Sequence, residues 1–572
     1  MSREGEPGVP ASATAAPAPG VAKPETKPPP NRRQPRISSP HRRTPEQLQY
    51  TAAGLRGICH GICRSLPEAE QPATTRRIAS TVSGSEIPSV SLSTRLDPFI
   101  AEVRQRWRIP GMAVAVVRRD GPLLVEAYGV SDVATSAPAD IDTAFAVGSC
   151  SKAFTATLAA VLVDAAVIGW DDRIRKYLPS FSLYDPWISD QLTFRDVLAN
   201  RTGLSRASIG EYGSDLTRAE TLRRARFIQP IAQFRDQFTY CNVGFVVAAE
   251  AMAAAAGQSF DGLINECLLK RLEFDRSRST GATSNFAAPH YEIDGKVQTV
   301  PPMATDNLQG AIDRSMSARE AANWLRLHLE EGAREAHPVS APQLWETHLL
   351  QTVRRDRTAN DGYGLGWHVR NRRIQHDGAI RGFRANVWCD LDGDLAIFVA
   401  TNLGAGFAHL AVTYRIIQEM RGETVTDWIK HFDDMANREI RERVARFEGE
   451  RSSDPVSASR WSQDDFVGTY HHQGFGSLHV EPSADHLWFR IDGLSGFDGP
   501  LMRYSGLSFE YQGDRDAMAW PAIAIPTAPR GERAQIRFQP ASNRIDRLRW
   551  HDWFGEAEFV RATVPGMASG KP

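Results

Sequence analysis

The segment from Ser151 to Val167 constrains this chain more than any other, because it is rich in alanine and leucine and has the composition of a buried helix. A charged side chain, Lys152, stands near its start, three residues after Ser149. Residues three positions apart share a face of a helix. One helical turn is therefore predicted to hold a serine and a lysine side by side, at the edge of a buried helix.

This pairing has a chemical meaning. A serine hydroxyl is a poor nucleophile until a base takes its proton. A lysine amine acts as such a base when burial disfavours its charged form. Ser149 also lies at the predicted helix N-terminus, where unpaired N–H groups and the helix dipole favour a developing oxyanion. Ser149 and Lys152 are thus predicted to be a nucleophile and its base.

Ser-x-x-Lys alone is weak evidence, since a long chain contains it by chance, but further motifs follow in order. They are Phe145–Thr155, Gly169–Pro179, Leu192–Leu198, Arg201–Leu204 and Tyr240–Asn242. With these motifs, the region from Leu96 to Met420 resembles the family of class C β-lactamases, D-aminopeptidases, related penicillin-binding proteins and carboxylesterases. The resemblance implies an α+β fold, in which an antiparallel sheet is flanked by helices and accompanied by a helical lobe.

The resemblance also implies roles for the second motif. Tyr240 would act with Lys152 in proton transfer, and Asn242 would bind the acyl side of the substrate. A tyrosine normally titrates near about 10. Tyr240 therefore serves as a base only where Lys152 stabilises its phenolate. The two side chains would titrate as a coupled pair, and which of them takes the first proton stays open.

Gly362–Trp367 and Ile374–Ile380 resemble the third element of the family, on an inner strand. If Ser149 and Ala379 occupy the family's positions, their backbone N–H groups form the oxyanion hole. Gly378 would then allow the substrate to approach the backbone closely.

The sequence His376-Asp377-Gly378 departs from the Lys-Thr-Gly of the β-lactamases. A lysine gives a permanent positive charge for a substrate carboxylate, whereas a histidine is only partly charged near neutrality. The same replacement occurs in the D-aminopeptidase and esterase branches, so peptides, amides or esters are favoured over β-lactams. We expect His376 to bind or polarise the substrate. Asp377 disfavours anionic substrates unless Arg381 or Arg384 offsets its charge.

These residues predict a serine hydrolase that acts through an acyl-enzyme on a small peptide or amide, with D-residue or nonribosomal peptides included. A carboxylesterase or an acyltransferase of the same family is the alternative, because attack by Ser149 is common to all of them. A non-catalytic ligand-binding sensor with this fold is the alternative from another class. No metal or organic cofactor is implied, and the oligomeric state is left open.

Composition divides the chain. The first fifty residues hold 11 of the 35 prolines and 8 Lys or Arg against 4 Asp or Glu, which is typical of a disordered segment. Apolar residues recur at helical spacing from Thr424 to Phe447, before a linker-like stretch from Arg451 to Ser459. The predicted domains are a disordered proline-rich segment (1–90), a catalytic domain (91–423), a connecting helix and linker (424–460), and a small β-barrel (461–572).

The barrel is predicted from short alternating runs beyond Trp461, typical of strands. The runs are Phe466–Tyr470, Ser477–Val480, Leu487–Ile491, Leu507–Tyr511, Gln535–Phe538 and Ile545–Trp550. They resemble the lipocalin-like domain appended to some members of the family. In the catalytic region, Gly111–Val117 and Leu123–Tyr128 predict a hairpin with a turn at Asp120-Gly121, and Leu395–Asn402 predicts a later strand.

The formal net charge of −1 disfavours a nucleic-acid partner. Asp164 and Glu250 interrupt the two alanine-rich stretches, so no apolar run of membrane-spanning length is predicted. No apolar core of a secretory signal occurs between Met1 and Val90. The cytoplasm is the default expectation, and a periplasmic or secreted location is expected if the start codon is misassigned.

Overall fold

The computed structural model describes residues 91–204, 214, 216–274, 285–293, 295–334, 337–354, 361–453, 456, 459–484, 486–492, 498–511, 535–541, 543–552 and 555–562. The predicted disordered segment, 1–90, lies outside the described residues. The α-helices in the described ranges are α1 (Leu92–Arg106), α2 (Ser151–Asp164), α3 (Pro186–Gln191), α4 (Phe194–Leu198), α5 (Arg218–Arg224), α6 (Asn242–Ala256), α7 (Phe260–Ile264), α8 (Ala318–Leu329), α9 (Ala341–His348), α10 (Ala408–Arg421) and α11 (Trp428–Ser453).

The region before the barrel is built on an antiparallel sheet of nine described strands, in the order β3-β2-β1-β13-β12-β11-β10-β9-β8. Their bounds are β1 (Gly111–Arg118), β2 (Gly121–Asp132), β3 (Ala137–Pro138), β8 (Thr352–Val353), β9 (Asp361–Tyr363), β10 (His368–Arg370), β11 (Arg373–Ile380), β12 (Phe383–Asp390) and β13 (Leu395–Thr401). Two short ribbons pair β4 (Phe145–Ala146) with β7 (Ser315–Met316), and β5 (His290–Ile293) with β6 (Lys296–Thr299). The predicted α+β class is confirmed.

The two faces of the sheet carry separate cores, because successive side chains of a strand point to opposite faces. In β1, Ala113, Ala115 and Val117 belong to the core shared with α2. The alternate residues, Met112 and Val114, belong to the core shared with α1 and α10. The sheet is therefore a middle layer between two sets of helices.

The β1–β2 hairpin is confirmed, but its turn lies one residue earlier than predicted. Arg118 pairs with Gly121, so Arg119 and Asp120 make the turn. The prediction placed Gly121 within the turn, yet this glycine is the first residue of β2 with φ +152. The sequence also gave no expectation for β12, which lies between the two strands predicted at 374–380 and 395–402.

The buried helix predicted from Ser151 forms α2, which ends at Asp164 rather than at Val167. Its first twelve residues, including Lys152, are buried. Phe154 stacks on Trp324 of α8, with ring centroids 3.8 Å apart. Burial on all sides explains why this helix is almost wholly apolar.

The predicted C-terminal barrel is confirmed. Its eight described strands close into an antiparallel barrel, in which β21 returns to pair with β14. They are β14 (Gly468–His472), β15 (Gly476–Pro482), β16 (Leu487–Ile491), β17 (Gly499–Arg503), β18 (Ser508–Tyr511), β19 (Gln535–Ala541), β20 (Arg544–Asp552) and β21 (Gly555–Arg561). Phe489, Tyr511 and Trp550 fill the interior, with the rings of Phe489 and Trp550 stacked at 5.1 Å.

Two features of this region differ from the prediction. The connecting helix, α11, begins at Trp428 and continues to Ser453, beyond the predicted linker start at Arg451. The strands β17 and β21 were not predicted. Gly499 and Pro500 weaken the strand signal of β17. Closure of the barrel pairs residues far apart in sequence, which a local pattern does not report.

No single helix among the described residues is long and apolar enough to cross a membrane. Only α6 together with Phe260–Leu272 passes the same length and composition test, as a pair bent by 80°. Most residues of α6 are buried in the protein core.

A pair of buried histidines joins α8 to α9. His328 Nδ1 lies 2.9 Å from His348 Nε2, and both rings are packed around Trp367. Burial lowers the pKa of His328 well below its usual value, and burial with the nearby Arg372 lowers the pKa of His348 to about 3. Both rings are therefore neutral in the folded protein near pH 7.

This pair predicts a loss of stability in mild acid. Between pH 6.5 and about 4 the unfolded chain binds protons on these histidines while the folded protein does not, so the free energy of unfolding falls as pH falls. Each histidine contributes at most about 1.4 kcal/mol per pH unit. Urea unfolding at pH 7, 6 and 5 measures the slope of the free energy of unfolding against pH. This slope should be shallower in His348→Gln than in the unaltered protein.

The matched control for this measurement is His471→Gln, because His471 is exposed and lies on the barrel. It should keep the slope of the unaltered protein. An equal slope in His348→Gln and in the unaltered protein would contradict the prediction, whatever the absolute stability of the variant.

Candidate active site

Ser149 lies in a 3-10 turn, Gly148–Cys150, that leads directly into α2. The hydroxyl of Ser151 fixes this turn, since its Oγ donates to Gly148 O at 2.6 Å and accepts from Arg314 N–H at 2.9 Å. Arg314 precedes β7, whose ribbon with β4 holds the chain before the turn. Ser149 is partly exposed, as a nucleophile requires.

Lys152 is fully buried on the first turn of α2. Its Nζ lies 3.2 Å from Ser149 Oγ, 2.8 Å from Asn242 Oδ1 and 3.0 Å from Ala311 O. Two of these partners, the amide oxygen of Asn242 and the carbonyl oxygen of Ala311, only accept hydrogen bonds. The amine donates to all three oxygens in this arrangement, and after loss of a proton its lone pair would face the Ser149 hydroxyl.

The second predicted motif reaches the same place. Tyr240 presents its ring to Lys152, with Nζ 4.7 Å from the ring centroid. Asn242 is the first residue of α6 and is buried. The structure thus brings Ser149, Lys152, Tyr240 and Asn242 together from two helices that are about ninety residues apart in sequence.

The strand β11 runs past the turn that holds Ser149. Pairing with β10 stops at Gln375, so the rest of this edge faces the turn instead of another strand. A methyl group at Gly378 would lie 1.8 Å from Val147 O, and one at Gly148 would lie 2.7 Å from Ala379 N. Both positions need glycine because the two backbones touch there. The predicted Gly378 and Ala379 therefore lie beside Ser149.

His376 lies on β11 with its side chain buried. Its ring is only 2% exposed, and Nδ1 lies 2.7 Å from Asp377 O, a carbonyl that can only accept. The other nitrogen, Nε2, lies 3.0 Å from the hydroxyl of Tyr363. Burial raises the pKa of Tyr363 well above 10, so its phenol keeps a proton to donate. This arrangement allows Nδ1 to donate to Asp377 O and Nε2 to accept from the Tyr363 phenol.

The side chain of Asp377 lies on the opposite face of β11 from His376, as strand alternation requires. Its Oδ1 accepts from Asn386 Nδ2 at 2.6 Å, and Asn386 Oδ1 accepts from Thr413 of α10 at 3.2 Å. Asp377 therefore faces the side of the sheet on which α10 packs. The charge of this carboxylate is directed away from Lys152.

Three groups at this site were not among the predicted residues. The carbonyl of Ala311 carries no side-chain signal in the sequence, because any residue supplies it. Tyr363 lies between glycines in the motif at 362–367, and its partner His376 lies on another strand. Asn200 directly precedes the stretch 201–204 and binds the backbone beside Tyr240.

The fold is also found in a solved structure, that of the octameric penicillin-binding protein homologue from Pyrococcus abyssi. The superposition has a TM-score of 0.52 at 16% sequence identity and covers 81% of this chain and 99% of that one. The shared architecture is the mixed helix and sheet of the β-lactamase and penicillin-binding-protein type. It defines the class of protein without defining its substrate.

Residues 96–419 match the family model described as Beta-lactamase, which is more than half of the 572 residues. The chain belongs to the beta-lactamase family.

Two curated relatives are informative. An unguisins hydrolase from Aspergillus campestris is 26% identical over 379 residues, which are 61% of this chain and 70% of the relative. A D-aminopeptidase from Brucella anthropi is 26% identical over 336 residues, which are 56% of this chain and 61% of the relative. The family of this chain therefore contains hydrolases that differ in the compounds they are named for.

The close approach at Gly378 gives a direct test of the site's construction. Gly378→Ala should destabilise the protein by about 3 kcal/mol or more, because the methyl group would overlap Val147 O and force β11 from the turn. Gly449→Ala in α11 is the matched control, since nothing lies within 4 Å of the added methyl group. Denaturant midpoints measure both. A Gly378→Ala midpoint equal to that of the control would contradict the close contact.

Proposed function

We propose that the protein is a serine hydrolase that forms an acyl-enzyme at Ser149. The observation that carries this proposal is the position of Lys152 Nζ, which lies between Ser149 Oγ and two oxygens that only accept hydrogen bonds. This geometry prepares one nitrogen to receive the serine proton. Because the other two oxygens only accept hydrogen bonds, the Ser149 hydroxyl is the partner that can give a proton to this nitrogen.

The reaction proceeds in two halves. Ser149 Oγ attacks the substrate carbonyl while its proton passes to Lys152 Nζ or to the Tyr240 phenolate. The attack forms the Oγ–C bond and a tetrahedral oxyanion. The C–N or C–O bond to the leaving group then breaks, and the leaving group takes a proton from the Lys152–Tyr240 pair. Water then adds to the acyl carbon with the same pair as base, the acyl C–Oγ bond breaks to release the carboxylic acid, and Ser149 Oγ takes its proton back from the pair.

The oxyanion is stabilised by two backbone N–H groups in this proposal, those of Ser149 and Ala379. The close approach of Gly148 and Ala379 supports it, because the two backbones touch next to Ser149. Ser149 also precedes the N-terminus of α2, where the helix dipole favours negative charge. Asn242, held by Lys152, is assigned to the acyl side of the substrate.

The preferred substrate is a small peptide or amide, including peptides with D-residues or of nonribosomal origin. The relatives named as an unguisins hydrolase and a D-aminopeptidase support this class. The buried His376 also supports it, since a histidine gives this position no permanent positive charge to hold a substrate carboxylate. A carboxylic ester is the alternative substrate, and acyl transfer differs only in the nucleophile of the second half.

The test is turnover by the full chain of p-nitrophenyl esters, L- and D-aminoacyl nitroanilides and a chromogenic β-lactam, with intact mass recorded during turnover. Ser149→Ala and Lys152→Met should lower kcat by about 10³-fold or more, because each removes a group that acts directly on the reacting atoms. A mass increase on the unaltered protein that Ser149→Ala lacks identifies the acyl-enzyme.

The panel also ranks the alternatives. Turnover of the nitroanilides supports the peptide or amide assignment. Turnover of esters without turnover of nitroanilides of the same acyl groups supports a carboxylesterase. Binding of these compounds with equal affinity to the unaltered protein and to Ser149→Ala, and with no turnover, would replace the proposal by the ligand-binding sensor.

A further inference from the structure

Asn200 is an unusual residue beside the site. It follows α4 and adopts a left-handed conformation with φ +52, which asparagine tolerates better than most residues. It is fully buried, although it is polar. Its N–H donates to Val197 O at 3.3 Å, so the residue is anchored to the helix that precedes it.

Asn200 holds the chain on both sides of Tyr240. Its backbone oxygen accepts from Thr239 N–H at 2.8 Å, and its side-chain Oδ1 accepts from Cys241 N–H at 3.0 Å. One residue thereby holds the peptide group that follows Tyr240 and the peptide group that precedes Thr239. Because these two groups bracket Thr239 and Tyr240, they limit the direction of the Tyr240 Cα–Cβ bond and so where its phenol can lie.

The same side chain extends toward the third motif. Asn200 Nδ2 makes no hydrogen bond within the described residues, yet the amide lies near enough to Tyr363 to oppose part of the rise in the pKa of that phenol. Tyr363 in turn bonds His376 at 3.0 Å, and the ring of His376 lies 6.2 Å from that of Tyr240. Asn200 is thus the point where the segments of both motifs meet.

We infer that Asn200 is a positioning residue that holds the Tyr240 phenol against Lys152 and Ser149, through its hydrogen bonds to Thr239 and Cys241. Asn200 does not act on the reacting atoms itself. Its effect is transmitted through the backbone on either side of Tyr240. The inference rests on the proposed acyl-enzyme function, in which Tyr240 shares the proton with Lys152.

The experiment separates the effects of the two hydrogen bonds that Asn200 accepts, one from Thr239 and one from Cys241. Asn200→Gly keeps the left-handed backbone and the bond from Thr239, because glycine favours positive φ, but it removes Oδ1. Asn200→Asp keeps an acceptor at the position of Oδ1. Asn371→Gly is the matched control, since Asn371 is exposed in the β10–β11 hairpin with φ +55. Each variant is assayed with the best substrate of the panel, and its melting temperature is recorded.

Asn200→Gly should lower kcat about 10²-fold with KM within about threefold, as expected when a proton-transfer group shifts by about 1 Å. Asn200→Asp should have a kcat within about tenfold of that of the unaltered protein. The control Asn371→Gly should have the same kcat as the unaltered protein. If Asn200→Gly does not fold, Asn200→Ser, whose hydroxyl is too short for Cys241 N–H, takes its place.

An unchanged kcat in Asn200→Gly would overturn the inference. So would equal losses of kcat in Asn200→Gly and Asn200→Asp, because a retained acceptor would then give no rescue. The absence of any Ser149-dependent turnover in the unaltered protein is a different result, since it overturns the proposed function before Asn200 is tested.

Discussion

The buried amine of Lys152 imposes its requirements on three separate parts of the chain. An amine enclosed in the core has to find oxygen partners, because a buried polar group without them destabilises the fold. Ser149 supplies one from the same turn, Asn242 supplies another from the start of α6, and Ala311 supplies a backbone carbonyl. The convergence of α2, α6 and the loop at Ala311 is therefore the condition on which the site depends.

Backbone contact is the second organising feature. The turn before α2 touches the free edge of β11 at Gly148 and Gly378, where no side chain fits. Cys150 reinforces the contact, since its thiol donates to His376 O at 3.2 Å. A nucleophile placed by such contacts moves little, and preorganised N–H groups are what an oxyanion needs.

The motif His376-Asp377-Gly378 shows why spacing alone did not predict which of its side chains faces the site. Alternation along β11 predicts that His376 and Asp377 point in opposite directions, but not which direction faces the site. The answer depends on Tyr363 of β9 for His376 and on Asn386 of β12 for Asp377. No role was predicted for Tyr363 within the motif at 362–367, and β12 was not predicted as a strand. Neither pairing was available from the sequence.

The sequence was enough to predict the buried helix with its serine and lysine and most strands of the barrel, because residue type and spacing within one element are local properties. The α+β class and the motif at Tyr240 and Asn242 came from the resemblance of the sequence to a known family. The packing of distant segments alone brings Ala311 and Asn200 to the site, places Tyr363 against His376 and closes the barrel. Each of these depends on hydrogen bonds between segments distant in sequence, and such bonds form only after the segments have packed together.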